Sequence, residues 1–289
     1  MSVFRRVPWC ACLWVLPLAA AFAGTSPAAA DGAPRFSGRW LQGATLVGSV
    51  APGSNVRFGE RELSLSPEGG FVIGLAYDAP PAAELEVIDA AGRAQRFEYS
   101  VQSRVYDVQK IGGLPKGMVE PPPAVLARIE ADQALVADAR RFDTPRSDFA
   151  AGFLWPVPAQ VTGVYGAGRV LNGVAKQPHF GIDLAAPEGA PVKASAGGVV
   201  RLAQSDLYYT GGTIILDHGH GLSTTYLHLS RLNVKLGDVV AAGAVIGKVG
   251  KTGRATGPHL CWRANWFDVR LDASLLLQAE PAKKGERKK

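Results

Sequence analysis

The sequence predicts a mainly β protein: an N-terminal β-sandwich-like module, one connecting helix, and a C-terminal domain of short strands. Three observations carry this. Residues 36–111 alternate apolar and polar positions in short runs broken by Gly, Pro and Asp, the mark of strands joined by tight turns. Val125, Leu126, Ile129, Leu135, Val136 and Ala139 recur at helical spacing, with Arg128, Glu130, Asp132, Arg140 and Arg141 between them. From Val199 to His259, runs of Val, Ile and Leu are punctuated by glycines, and nothing from Phe153 onward reads as a long helix.

In the first module, residues 34–111, strands fall near 44–48, 55–58, 70–75, 84–88 and 95–99, with turns at Pro52-Gly53, Glu68-Gly69-Gly70 and Ala91-Gly92. This spacing argues for a small antiparallel sandwich. The module contains no histidine or cysteine, and its carboxylates alternate with apolar residues as on a solvated face. It therefore reads as a structural or positioning element. Residues 112–149 hold a linker stiffened by Pro121-Pro122-Pro123, and then the helix, with Pro123 at its first turn, where proline is tolerated. The helix's apolar stripe needs cover, and packing between the two β segments is expected. In the last segment, 150–277, Trp155-Pro156-Val157 and 161–166 read as strand and turn, followed by strands near 191–194, 197–203, 213–218, 222–229, 238–240 and 245–249.

The ends of the chain differ from its middle. Residues 1–30 have Arg5 and Arg6, an apolar run and Ala28-Ala29-Ala30 before Asp31, which reads as a cleavable signal peptide. An exported protein of the periplasm or cell envelope is expected, with no integral membrane segment after cleavage. About 260 residues would remain, enough for two domains with their own cores. Cys261 would be the only thiol left, so no disulfide is expected. The formal net charge is +6, of which the signal carries +2 and the tail from Pro281 carries +4. The high pI thus belongs to the ends, residues 278–289 read as a basic disordered tail, and no nucleic-acid partner is implied.

All five histidines, His179, His218, His220, His228 and His259, fall in the last segment. On a strand, residues two apart share a face, so His259 and Cys261 should point together, as should Tyr226 and His228. Imidazole, carboxylate and thiolate are ordinary zinc ligands, and a catalytic site needs three of them plus an open position. His179, Asp183 and Cys261 can supply those three. His218 and His220 lie in Asp217-His218-Gly219-His220-Gly221, whose glycines make it a turn in which side chains splay, and they are set aside.

These motifs resemble the lysostaphin-type (LytM-like) zinc endopeptidases that cut peptidoglycan peptides. His179 and Asp183 match that family's His-x3-Asp, His228 in Tyr226-Leu227-His228-Leu229 matches its middle histidine, and His259 in Gly257-Pro258-His259-Leu260 matches the first histidine of its final His-x-His. The resemblance spans roughly 153–277. It implies a compact antiparallel β-sheet zinc peptidase domain with Zn2+ held by His179, Asp183 and the residue at 261, His228 and His259 as catalytic groups, and peptidoglycan as partner. This chain departs from the pattern at the last ligand, where Cys261 replaces histidine. One imidazole, one carboxylate and one thiolate make a formally neutral zinc site, which should hold metal but acidify water less. Some relatives that lost ligands bind the cell wall and activate a separate amidase, so a divisome or amidase partner is the alternative implication. Retention of the other four residues favours the hydrolase.

Overall fold

The structure, a computed structural model, describes residues 32–113 and 116–277. The expected signal peptide and basic tail lie outside these residues, as do Leu114 and Pro115 of the linker. The fold is mainly β, and the only helix longer than two turns among the described residues is Leu126–Arg140.

Two antiparallel sheets make the first module. Arg35–Ser37, Thr45–Ser49 and Gly70–Gly74 form one, and Arg61–Glu62, Asn55–Phe58, Ala82–Ile88 and Ala94–Ser100, in that order, form the other. Alternation turns Leu46, Phe71 and Ile73 of the first sheet and Val56, Leu85 and Val87 of the second into one buried layer. The expected sandwich is present. Its core is not separate, however: one continuous apolar cluster runs from these residues to Ile214, Leu216, Trp262 and Leu271 of the last segment. Two contacts show why. A Cβ on Gly74 would lie 2.7 Å from Trp266 Cβ, so only glycine lets the two sheets close to this distance. Arg104 also pairs with the buried Asp272 at 2.8 Å.

The last segment is organised by an eight-stranded antiparallel sheet. Its order is Val239–Val240, Gly198–Leu207, Gly211–Gly219, Leu222–Leu229, Leu260–Trp266, Ile182–Ala185 and Gln160–Gly163, with Val269–Leu271 added on Leu260–Trp266. Every residue of Gly211–Gly219 and Leu222–Leu229 is buried, Thr213, Asp217, Thr224 and Thr225 among them. Residues 155–157, expected as a strand, are irregular; Pro156 and Pro158 cannot donate to a ladder. Conversely, Gly168–Leu171 and Val174–Lys176 form a hairpin in a stretch that carries no strand pattern, and Val108–Ile111 joins it in parallel.

The helix does not sit between the two β segments. It lies on the large sheet, where Ala139 and Val136 cluster with Leu202, Leu207 and Ile215, and Asp132 accepts the Tyr208 N–H at 2.7 Å. Leu126 and Leu135 stay exposed. Ile215 pairs with Thr225, Thr225 with Arg263, and Leu227 with Cys261, so the helix covers the same sheet face that carries Cys261.

Candidate metal centre

The three middle strands of the sheet bring the singled-out residues together. Asp183 stands directly opposite Cys261 across the pair Ile182–Ala185 and Leu260–Trp266, and Leu227 flanks Cys261 on its other side. His179 precedes the first of these strands, its backbone fixed by His179 N–H to Ala167 O at 2.8 Å and Gly166 N–H to His179 O at 2.7 Å. His179 Nε2 lies 3.3 Å from Cys261 Sγ and 3.2 Å from Asp183 Oδ1. The sulfur therefore faces the imidazole and carboxylate, and the three donor atoms all lie within 4.8 Å of one another.

These separations fit a metal ion. Tetrahedral zinc with bonds of about 2.0–2.3 Å sets its ligand atoms roughly 3.3–3.6 Å apart. Asp183 Oδ1 is buried and accepts no hydrogen bond among the described residues, leaving a lone pair aimed into the cluster. Burial pushes the Cys261 thiol up to about 12, so as a free group it keeps its proton, and a bound cation would have to displace it. Burial opposes the charge on Asp183 too, but His179, His259 and Arg169 outweigh it and hold that carboxyl below its usual range. Burial also keeps His179 neutral against the pull of Asp183.

Two close approaches make room for the cluster. Gly163 pairs with Asp183, and a Cβ there would collide with the Asp183 carboxylate. A Cβ on Gly181 would lie 2.7 Å from Arg263 Cγ and 3.1 Å from Cys261 Sγ.

His228 and His259 complete the group, with ring centroids 4.7 Å apart. The sequence places His228 on the face of Tyr226, and here the structure differs. Gly212 pairs with Leu229 and Ile214 with Tyr226, so Thr213 alone opposes Leu227 and His228 in a β-bulge, and His228 has φ of 65°. The bulge turns the ring to the Cys261 side, while Tyr226 stays buried on the opposite face with its hydroxyl 2.7 Å from Ser195 Oγ. His228 Nδ1 donates to Thr252 O at 2.8 Å, which leaves Nε2 as the lone-pair nitrogen, and burial pushes this histidine down to about 3. His259 Nδ1 donates to Gly257 O at 2.9 Å, and its Nε2 lies 3.8 Å from Asp183 Oδ1.

His218 and His220 stay outside the cluster, as expected. Only His220 is in the turn, however; His218 is a strand residue, fully buried, with Nδ1 2.6 Å from Gly197 O and Nε2 2.7 Å from Thr224 Oγ1. Sequence reasoning missed Arg169, whose Nη2 holds Asp183 Oδ2 at 3.0 Å, and nothing local marks that residue. It also missed Arg263, although its place two residues after Cys261 on one strand is a usable signal.

Residues 177–273 match the sequence profile of peptidase family M23. A Pseudomonas aeruginosa structure described as a peptidase M23 superposes with a TM-score of 0.65 at 30% identity, covering 83% of this chain and 95% of that one. The peptidoglycan DD-endopeptidase ShyA of Vibrio cholerae is 46% identical over 94 residues, 32% of this chain and 22% of that protein. Lysostaphin of Staphylococcus simulans is 41% identical over 97 residues, 33% of this chain and 20% of that protein. These matches span less than a quarter of either curated relative. Fold, site and relatives define the class as a lysostaphin-type peptidase domain. The chain belongs to peptidase family M23.

Proposed function

We propose that this protein is a zinc-dependent endopeptidase that hydrolyses amide bonds in peptidoglycan peptides, exported to the cell envelope. The observation that carries the reading is the convergence of His179 Nε2, Asp183 and Cys261 Sγ within 4.8 Å, with two further histidines against them. His179, Asp183 and the Cys261 thiolate would hold the metal. Zinc bound there supplies Lewis acidity toward the scissile carbonyl and toward water.

The protein's own groups do the rest. His228, held neutral with Nδ1 tied to Thr252 O, presents Nε2 to accept a hydrogen bond and a proton. His259 presents Nε2 beside Asp183, whose carboxylate offers countercharge when that ring takes up a proton. Either ring, once protonated at Nε2, donates to the oxyanion that develops on the substrate. Arg169 holds Asp183 from behind, fixing which oxygen faces the site. The N-terminal module and the helix serve as positioning elements for this site.

Zinc per chain after mild dialysis, and cell-wall digestion with and without a chelator, test the proposal. The expected result is stoichiometric zinc and solubilised fragments that vanish on chelation. Wild type that holds no zinc while Cys261→His does would overturn it, as would fragments released unchanged after stripping. Digestion giving no fragments under any condition would favour an amidase-activating module.

A further inference from the structure

A cavity of about 770 Å³ lies between the Leu126–Arg140 helix and the large sheet, on the face that carries Cys261. Arg61, Arg140, Arg141, Arg263 and Arg270 line it, against Asp132, Asp143 and Asp268. Two of those aspartates are occupied: Asp132 accepts the Tyr208 N–H, and Asp143 accepts the Ser64 hydroxyl. Arg61 stacks on Phe267 at 3.9 Å, and Arg141 lies 3.6 Å from Asp138.

Arg140, Arg263 and Arg270 stand apart from the arginines that aspartates hold elsewhere in the fold. Arg93, Arg104, Arg128, Arg146, Arg169 and Arg201 each meet an aspartate within 3.0 Å. No ion pair among the described residues involves any of the three. Arg140 Nε and Arg263 Nε are buried with no hydrogen-bond partner among the described residues, while Arg140 Nη2 donates to Thr225 Oγ1 at 3.3 Å. The sheet forces the crowding: Arg263 pairs with Thr225, and Arg270 pairs with Asn265, two residues beyond Arg263 on the same face. Arg140 then descends from the helix. Burial, and after it the charges of Arg270 and Arg263, push Arg140 down to about 9. A buried guanidinium nitrogen without a partner is costly to a fold, and a forked guanidinium matches a carboxylate in shape and charge.

We infer that this cavity is a carboxylate-recognition subsite, in which Arg140, Arg263 and Arg270 receive the acidic groups of a peptide whose backbone runs from the candidate metal centre under the helix. Arg263 follows Cys261 by two strand positions, about 7 Å along the sheet. The recognised carboxylate therefore belongs to a residue within roughly two positions of the scissile amide. The helix, which precedes the matched residues 177–273, contributes Arg140 to this selectivity. The inference deepens the endopeptidase reading and rests on it for the direction of the peptide, but the binding it predicts does not require turnover.

The test measures affinity of the purified full chain for a synthetic peptide Ala-D-Glu-Lys-D-Ala-D-Ala with free carboxylates and for its fully amidated counterpart, by calorimetry, with zinc content recorded in parallel. The free acid should bind wild type about tenfold or more tighter than the amide, the scale of a charge-assisted hydrogen bond. The ratio should fall toward one in Arg140→Gln and stay partly preserved in Arg140→Lys, with zinc content unchanged. Arg270→Gln gives a second route should Arg140→Gln melt early. Equal affinity of wild type for acid and amide overturns the subsite, as does an unchanged ratio in both glutamine variants. If zinc binding and cleavage are absent while the ratio persists, the hydrolase reading fails and the subsite stands. If both peptides are cut and bound alike, the reverse holds.

Discussion

Cys261 Sγ lies 3.3 Å from His179 Nε2, although the two residues are 82 positions apart. The thiol is thus within reach of the proposed metal position, where the longer zinc–sulfur bond would recover part of the reach that a histidine would have had. Cys261→Ala should lose zinc and activity together, and Cys261→His should keep zinc. The +1 charge of a two-imidazole site acidifies water more than the neutral thiolate site. The acid limb of the pH–rate profile should therefore move to lower pH in Cys261→His. A limb at the same pH in both proteins would refute the charge argument.

Arg169→Met should weaken metal binding without unfolding the chain. The guanidinium holds Asp183 Oδ2 at 3.0 Å, and removing such an outer partner typically costs 10–100-fold in metal affinity. Competition titration with a chromophoric chelator reads this directly. Zinc affinity within about twofold of wild type would show that Asp183 needs no such support.

The residues of the candidate metal centre were legible in the sequence and their surroundings were not, for a physical reason. His179, Asp183, His228, His259 and Cys261 stand in short local motifs, and strand periodicity puts His259 and Cys261 on one face. Their supports come from distant or featureless places. Arg169 reaches Asp183 from a hairpin with no alternating pattern, Thr252 acts through its carbonyl, and the bulge at Leu227-His228 depends on how many residues the partner strand offers. The sandwich and helix were visible as elements, because apolar periodicity reports which side of an element is buried. It does not report against what. For that reason the helix was expected between the β segments, and the merging of the two cores through Gly74 and Trp266 left no trace in the pattern.

Gly163→Ala should act on the metal centre through packing alone. The added methyl would collide with the Asp183 carboxylate, and Asp183 must rotate or the Gln160–Gly163 strand must shift. Gly163 adopts no left-handed backbone, so alanine is otherwise tolerated. The expected outcome is a loss of zinc affinity larger than the loss of thermal stability. A Tm that drops while zinc affinity is kept would place the strain in the strand instead.

His228→Ala should leave zinc in place and lower kcat by about 10²–10⁴-fold, the usual contribution of a positioned acid–base group. Its ring contacts His259, and its Nδ1 is committed to Thr252 O, so the loss falls on the groups that handle protons. Zinc content by mass spectrometry, measured beside single-turnover cleavage, separates this from a ligand role: zinc lost together with activity would make His228 a ligand.

Acid should destabilise the fold through His218 before the carboxylates titrate. Burial holds the folded-state pKa of His218 below its ordinary value of 6.5, against the opposing Gly197 carbonyl and Asp217. Between that lowered value and about 6.5 the unfolded chain binds more protons than the folded one. The contribution of His218 is therefore fully present above about pH 6.5 and is lost as the pH falls through the folded value, at up to about 1.4 kcal/mol per pH unit. His220, His228 and His179 shift in the same direction by burial and add to the slope. His218→Gln removes one titrating group while an amide can still donate to Gly197 O. Its stability from urea unfolding should be lower than wild type at pH 7.5 and should fall less steeply between pH 6.5 and 5. Parallel slopes in the two proteins would mean that His218 is not among the groups that sense acid.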